Sequence, residues 1–294
     1  MKLLVVGYGY VGSFLVDRLR QENHAVTVCE ARPDAVPDGI DVLSCRYQDL
    51  ADEALRDTDC ILWFAGHSNV AISLSDPDGA LTNNCLDLLT LARRKPPATR
   101  LIYASTASLY SVEHHPGSGA PEAVPEGRTR LNPINPYDCS KVALDTLATC
   151  FAENLTGLRM GTVSGWSPRL RPELVFNAMN IAAIETGRLK LSNAHAWRSI
   201  LFLDDLVRLI SVLVAASSPL PKIINAASAS LSIGQLAESI AGHYGAEIDM
   251  GLDSPTYSFR IDTALAESLA GAPRPLSIAE RCVEFAEAYR RTCS

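Results

Sequence analysis

The glycines at positions 7, 9 and 12 restrict the fold of this chain more than any other feature. Gly7-Tyr8-Gly9-Tyr10-Val11-Gly12 follows an apolar, β-type run at 2–6 and opens a helical pattern at 10–21. A strand that turns tightly into a helix leaves the first helical N–H groups unpaired and the positive end of the helix dipole facing the turn. An anion fits there. Gly7 permits the tight turn, Gly9 lets a pyrophosphate approach the backbone, and Gly12 lets the helix pack on the strand. Glycine-rich turns also occur without ligands. Here a second β-type run at 25–30 follows the helix, so Gly7, Tyr8, Gly9, Tyr10, Val11 and Gly12 are expected to cradle a dinucleotide.

The rest of the first half continues the alternation. Strands are predicted at 41–45, 60–64, 100–105 and 158–163, and helices at 81–94 and 137–153. Such alternation implies an α/β fold: a doubly wound parallel sheet of Rossmann type, with ligands at the carboxyl ends of its strands. Past Gly165 the pattern loosens. Helices are expected at 172–187 and 204–216, strands at 200–203 and 223–226, and capping-box helix starts at Ser232 and Ser277. The expected division is a dinucleotide-binding domain at 1–165, to which 200–230 returns, and a smaller C-terminal substrate lobe at 166–199 and 231–294. Residues 114–133 carry four prolines and three glycines without periodicity. They read as one long loop, either a substrate-side flap or a surface loop.

Each strand end adds a cofactor candidate. Glu30, at the end of the second strand, is placed to accept both hydroxyls of an adenosine ribose and to repel a 2′-phosphate. This favours NAD. Arg32 could instead swing onto a 2′-phosphate, which keeps NADP as the alternative. Asp49 and Leu50 follow the third strand, where the carboxylate is either near an adenine amino group or in a plain surface turn. Ala65 and Gly66 close the fourth strand with small residues that let backbone approach the cofactor. His67 is next, read as a polar strand end rather than a catalytic group.

Tyr137 and Lys141 lie four apart at a helix start and share one face. An ammonium one turn from a phenol, with a nicotinamide nearby, favours the phenolate and suits it to general acid and base work. Lys141 also suits the nicotinamide ribose. Upstream, Tyr103-Ala104-Ser105-Thr106-Ala107-Ser108-Leu109-Tyr110 sets hydroxyls at the carboxyl edge of the sheet. Thr106 is the candidate for bonding the reacting substrate oxygen, with Ser105 next. The alternative is a serine-rich strand end capped by its own hydroxyls.

Together these segments resemble the extended short-chain dehydrogenase/reductase family, also described as NAD-dependent epimerase/dehydratase. Asn135-Pro136-Tyr137-Asp138-Cys139-Ser140-Lys141 is similar to that family's P-Y-x-x-S-K, and 103–110 to its S-S-x-x-V-Y. The resemblance implies that Asn84, with Asn83 as the neighbouring register, completes an Asn-Thr-Tyr-Lys tetrad. It implies that Arg198 in Arg198-Ser-Ile-Leu-Phe-Leu-Asp204 clamps a nucleotide-sugar diphosphate, the other reading being an ion pair with Asp204 or Asp205. Arg169 and Arg171 are further cations for substrate, and Ser108 and Thr162 further contacts. The chain departs from the family pattern in several places. Ala107 stands where dehydratases tend to carry an acid, so Thr106-Ala107-Ser108 looks more like the epimerases. Thr162, Ser164 and Trp166 replace Asn, Tyr and Pro, and Ser111 replaces a glycine.

Composition limits the partners. The net charge is −7 and no long basic run exists, so neither nucleic acid nor an anionic membrane is an expected partner. No apolar stretch nears the ~20 residues that span a bilayer. Eight cysteines include no C-x-x-C pair, as for buried thiols in a reducing compartment, and the expected location is the cytoplasm. His114 and His115 are adjacent without further ligands at metal spacing, and no metal is expected. The leading expectation is an epimerase acting on a sugar or nucleotide sugar through transient hydride removal. The alternatives are a one-way ketoreductase or dehydrogenase and a non-catalytic dinucleotide sensor. A homodimer through 81–94 and 137–153 is what the resemblance implies.

Overall fold

The computed structural model describes residues 1–113, 115–127, 131–151 and 153–293. In chain order its first half carries β1 (Lys2–Val6), α1 (Tyr10–Gln21), β2 (Ala25–Cys29), β3 (Asp41–Leu43), α2 (Asp52–Arg56), β4 (Cys60–Trp63), α3 (Val70–Ser75), α4 (Pro77–Leu81), α5 (Asp87–Arg94), β5 (Arg100–Thr106), β6 (Ala123–Val124) and α6 (Pro136–Phe151). The second half carries β7 (Leu155–Met160), β8 (Thr162–Ser164), α7 (Val175–Thr186), β9 (Arg188–Leu191), β10 (Trp197–Phe202), α8 (Leu203–Ala215), β11 (Ile223–Ala226), β12 (Ala229–Ser232), α9 (Ile233–Tyr244), β13 (Glu247–Met250), β14 (Arg260–Ile261), α10 (Ala264–Ala270) and α11 (Ile278–Cys293).

Seven strands form the central sheet in the order β3-β2-β1-β4-β5-β7-β11, and every pairing is parallel. The sequence reason is direct. The segments Leu3–Val6 and Cys60–Trp63 are apolar at every position and buried on both faces, as a sheet covered by helices on each side requires. On one face α1 and α8 pack through Phe14, Leu15, Leu19, Leu206, Ile210 and Leu213; on the other, α5 and α6 pack through Leu88, Leu91, Leu144 and Ala148. Strand order reverses between β1 and β4, which opens a crevice at their carboxyl ends. The chain leaves those two strands at Gly7 and Ala65.

Three smaller sheets remain: β8-β10-β12 and the pair β9-β13, both from 162 onward, and β14 with β6 of the first half. The first two border a separate apolar cluster of Phe176, Leu189, Ile200, Phe202, Leu236, Ile240 and Phe285, while Val124 and Ile261 of the third pack with Ala107, Tyr110 and Phe259. Both capping boxes form. Ser232 caps Gln235, and Ser277 and Glu280 exchange hydrogen bonds in the same way.

Three expectations need correction. The single strand expected at 158–163 is two, in different sheets. β7 ends at Met160, and a Cβ on Gly161 would stand 2.4 Å from the Ser199 carbonyl oxygen, so the chain crosses there to pair with β10. The helix expected at 81–94 runs from Pro77 and contains a π turn at Thr82–Leu86. The stretch 114–133 is not a structureless flap. Ala123–Val124 pairs with Arg260–Ile261, and Asn225 binds the Val124 carbonyl at 2.9 Å. The described residues of that stretch do not line the large pocket below. His114 lies outside the described residues.

Candidate active site

At the reversal point the glycine turn takes the predicted form. Gly7 has φ +96°, a left-handed conformation in which a side chain would be strained, and a Cβ there would meet the Ala65 backbone at 2.9 Å. A Cβ on Gly12 would fall 2.0 Å from the Gly7 carbonyl oxygen, whereas one on Gly9 would stand in open space. Gly9 caps α1 without a side-chain bond, and no acidic residue occupies the first turn. The concave backbone and the uncapped helix end therefore face outward together, the arrangement a pyrophosphate requires.

Two concavities meet there. A groove of about 150 Å³ is lined by Gly7, Glu30, Arg46, Tyr47, Ala65 and Asn83. A pocket of about 520 Å³ is lined by Tyr10, Val11, Gly66, Thr106, Tyr137 and Lys141. Ala65 borders both. Glu30 accepts from the Tyr8 and Arg32 amides, each at 3.1 Å, and the Arg32 guanidinium lies 3.7 Å away. The carboxylate is thus fixed at the rim of the smaller groove. Of the residues predicted beyond it, Asp49 is exposed and Leu50 is buried in the core, and neither lines the groove. Tyr8 is buried in the core, so its contribution at the turn is backbone. The Tyr10 hydroxyl donates to the Gly165 carbonyl at 2.7 Å and accepts from Asn177, which ties the turn to the start of the lobe.

In the larger pocket Tyr137 and Lys141 share one face of α6. The Lys141 ammonium lies 5.8 Å from the Tyr137 ring centre and donates to the Ala104 carbonyl at 2.8 Å. Burial pulls Lys141 down to about 8, opposed by the Asp145 charge. Burial also pushes the Tyr137 phenol up to about 12, while a hydrogen bond from Thr106 pulls the other way. The expected acidification combined the ammonium with a nicotinamide charge; in the protein alone, burial outweighs the Thr106 hydrogen bond and disfavours the phenolate.

Thr106, the predicted hydroxyl, stands beside that phenol. Ser105 lines the same pocket, but its hydroxyl is committed to Asp145 at 3.0 Å. Ser108 bonds both Thr106 and Asp138. The π turn directs the two asparagines toward different concavities. Asn84 donates to the His67 carbonyl and to Ser140, both at 3.0 Å, and lines the pocket with Tyr137. Asn83 faces the smaller groove and bonds Tyr47 and His67. The buried Asn84 Oδ1 has no partner, and a Cβ on Gly66 would lie 2.3 Å from it, so this oxygen is pressed against the backbone at the pocket floor.

Arg198 lines the same pocket and is 9% exposed. Its N–H groups go to the Trp197 carbonyl at 3.0 Å and the Thr256 hydroxyl at 2.7 Å, and its guanidinium lies over the Tyr257 and Phe259 rings. The alternative ion pairs are taken by others: Asp204 pairs with Arg18 and Arg274, and Asp205 with Arg281. Burial without a carboxylate brings Arg198 down to about 10. Thr162 lines the pocket, whereas Arg169 is exposed outside it. Arg171 reaches the pocket wall paired with Glu173 at 2.7 Å. The sequence reading missed Thr256, Tyr257 and Phe259, which come from a segment with no periodicity. It also missed Arg46 and Tyr47, one turn before the predicted Asp49. Among the described residues no group of three or more His, Cys, Asp or Glu side chains is placed to hold a metal. No helix among them is long and apolar enough to cross a membrane.

Comparison with known proteins agrees with this geometry. The model of the NAD dependent epimerase/dehydratase family matches residues 3–227. The UDP-glucose 4-epimerase of Corynebacterium glutamicum is 27% identical over 219 residues, which is 70% of this chain and 63% of that protein. The dTDP-glucose 4,6-dehydratase of Mycobacterium tuberculosis is 27% identical over 187 residues, 58% of this chain and 54% of its own. This chain thus spans between half and two thirds of those relatives. Among solved structures, the UDP-glucose 4-epimerase of Thermotoga maritima superposes with a TM-score of 0.83 at 20% identity, covering 100% of both chains. The UDP-glucuronic acid 4-epimerase of Bacillus cereus, in complex with UDP-glucuronic acid and NAD, gives 0.80 at 20% identity over 99% of this chain and 100% of that one. With the glycine turn, the parallel sheet and the family model in agreement, the chain belongs to the NAD dependent epimerase/dehydratase family.

Proposed function

We propose that this chain is an NAD-dependent epimerase of a nucleotide sugar. The observation that carries the reading is the convergence of Thr106, Tyr137, Lys141, the glycine turn and the buried, carboxylate-free Arg198 on one pocket. The UDP- and dTDP-sugar enzymes among its relatives support the substrate class. The residues fit the cofactor. The Gly9 concavity accepts a pyrophosphate, Glu30 at the groove rim accepts ribose hydroxyls and disfavours a 2′-phosphate, and Ala65 and Gly66 keep the path to Tyr137 open. When bound, NAD supplies a reversible hydride acceptor and a positive ring that favours the Tyr137 phenolate.

The side chains then divide the work. Tyr137 takes the proton of a sugar hydroxyl and returns it, Thr106 holds the same oxygen, and Lys141 supports the phenolate and the ribose. Asn84 orders the floor. Arg198 meets the diphosphate from a desolvated position, where a charge-assisted bond is strongest. Ser108 and Thr162 shape the sugar end. We read 1–165 with 200–230 as the cofactor domain, and 166–199 with 231–294 as the substrate lobe. A cytoplasmic homodimer is our reading of the assembly. Free cysteines at Cys29, Cys45, Cys60 and Cys85 suit a reducing compartment, and Ile72, Leu74, Leu81 and Leu86 present apolar side chains on the α3-to-α5 face.

The test is interconversion of UDP-glucose and UDP-galactose, then of a wider UDP- and dTDP-sugar panel, without added cofactor. Tyr137→Phe is expected to lower turnover by about 10²–10⁴-fold. Stoichiometric consumption of added NADH without epimer formation would replace the epimerase with a reductase. Unchanged turnover in Tyr137→Phe would remove the proposed chemistry.

A further inference from the structure

A nucleotide sugar bound in the proposed way is held at two ends. Arg198 meets the diphosphate from β10, in the β8-β10-β12 sheet, and Tyr137 meets the sugar from the start of α6, against the central sheet. Both ends must keep a fixed separation, because an error of about 1 Å at the reacting atoms costs about a hundredfold in rate. Some contact between the two elements has to set that distance.

The segment 256–259 makes it. Among the described residues, the polar and ring partners of Arg198 are Trp197 and this segment alone. They are the Trp197 carbonyl at 3.0 Å, the Thr256 hydroxyl at 2.7 Å, and the Tyr257 and Phe259 rings at 6.0 and 5.7 Å from the guanidinium carbon. Ring faces attract a cation that has been stripped of water and carboxylates. Ser258 fastens the segment on both sides. Its amide donates to Ser111 Oγ at 3.1 Å, its carbonyl accepts from the Val112 amide at 2.9 Å, and its hydroxyl accepts from the Trp197 amide at 3.1 Å. The Tyr257 ring thus has Arg198 on its face and α6 at its hydroxyl.

That hydroxyl enters the cap of the catalytic helix. Pro136 is the first helical residue and Tyr137 the second. Asn135 Oδ1 caps the helix by accepting from the Asp138 amide at 3.0 Å. The fully buried Asp138 carboxylate turns back to accept from the Ile134 amide at 3.3 Å and from Asn135 Nδ2 at 3.0 Å, in a first turn where the helix dipole favours an anion. The Tyr257 hydroxyl closes this group: it accepts from Asn135 Nδ2 and donates to Asp138 Oδ2 at 3.1 Å. Tyr137 lies between Asn135 and Asp138, so whatever fixes the cap fixes the backbone that carries the phenol.

We propose that Tyr257 is a positioning residue that sets the span between the two ends of the site: its ring carries Arg198, and its hydroxyl pins that ring to the cap of the helix bearing Tyr137. The proposal rests on the reading of Arg198 as diphosphate clamp and Tyr137 as acid and base. It makes diphosphate binding and the placement of the phenol one event.

Two substitutions separate the two functions of the ring. Tyr257→Phe keeps the face under Arg198 and removes the hydroxyl alone, so UDP affinity in titration calorimetry should stay within about twofold. Turnover of the nucleotide sugar should fall by about ten- to a hundredfold in kcat with little change in KM. Tyr257→Leu removes the face as well and should also weaken UDP by about three- to thirtyfold. Amide exchange reads the coupling without turnover. In the NAD-loaded parent, UDP should slow exchange at 251–259, and at 134–140 by about fivefold or more. In Tyr257→Phe the first protection should remain and the second vanish. Equal protection of 134–140 in parent and Tyr257→Phe, or a kcat that Tyr257→Phe leaves unchanged, overturns the proposal. Unweakened UDP binding in Tyr257→Leu overturns the part assigned to the ring. If the parent turned over no nucleotide sugar while protection of 134–140 still depended on Tyr257, the epimerase reading would fall and the fixed span would stand.

Discussion

Tyr137 and Lys141 show how burial, more than adjacency, sets side-chain chemistry. The sequence places an ammonium one turn from a phenol, and the fold then desolvates both, lifting one to about 12 and lowering the other to about 8. For Lys141 the charged form is the disfavoured one, so the folded state binds fewer protons than the unfolded chain between about pH 8 and the ordinary lysine range. Stability contributed by this site rises with pH through that window, and below it the buried charge is a cost. Lys141→Met is therefore expected to melt at a higher temperature than the parent below pH 8, with the gap narrowing toward pH 10, while turnover falls. Calorimetry across pH checks the first part and steady-state kinetics the second. Arg198 carries the matching prediction for binding. Arg198→Met should weaken UDP binding by about ten- to a hundredfold, the loss of a charge-assisted bond, and titration calorimetry showing unchanged affinity would end its role as a clamp. Both residues were legible as residue types at motif spacing. The commitment of the Ser105 hydroxyl to Asp145 was not, because it depends on which face of β5 meets α6.

At the scale of elements, the strand–turn–helix unit at the N-terminus was readable residue by residue, since its constraints are local. Gly12 must lack a Cβ because the Gly7 carbonyl lies where one would go. Gly12→Ala should cost about 1–3 kcal/mol in urea unfolding, as overpacking does, and should release NAD in equilibrium dialysis. A variant as stable as the parent would show that the turn can relax. The π turn at Thr82–Leu86 was less legible. It rotates Asn83 and Asn84 toward different concavities, and its extra residue per turn is accommodated by packing against α6 rather than by any local propensity. Likewise β6 and β14, two residues each, exist because they pair with one another across 137 positions, and neither carries a strand pattern of its own.

Over the whole molecule, Asp205 and Arg281 join the two halves. Each side chain is 2% exposed, and they meet at 2.7 Å between α8, which covers the central sheet, and α11, which packs in the second apolar cluster. Ser228 and the Arg274 amide complete the carboxylate's bonds. Removing one member of a buried pair strands the other, so Asp205→Ala should lose about 3–5 kcal/mol in denaturant unfolding. A loss below about 1 kcal/mol would mean that water reaches Arg281 and the halves are held by apolar contact alone.

The sequence by itself determined the parallel sheet, the anion-binding turn and the pairing of Tyr137 with Lys141. Each follows from interactions within a few residues or from a periodic apolar pattern. Tertiary structure alone decided which hydroxyl faces the phenol, that Arg198 is buried without a carboxylate, and that Tyr257 meets the cap of α6. Those outcomes depend on side chains from β5, α6 and the 251–259 segment meeting in space, where burial and the supply of donors set charge, and no spacing along the chain encodes that meeting.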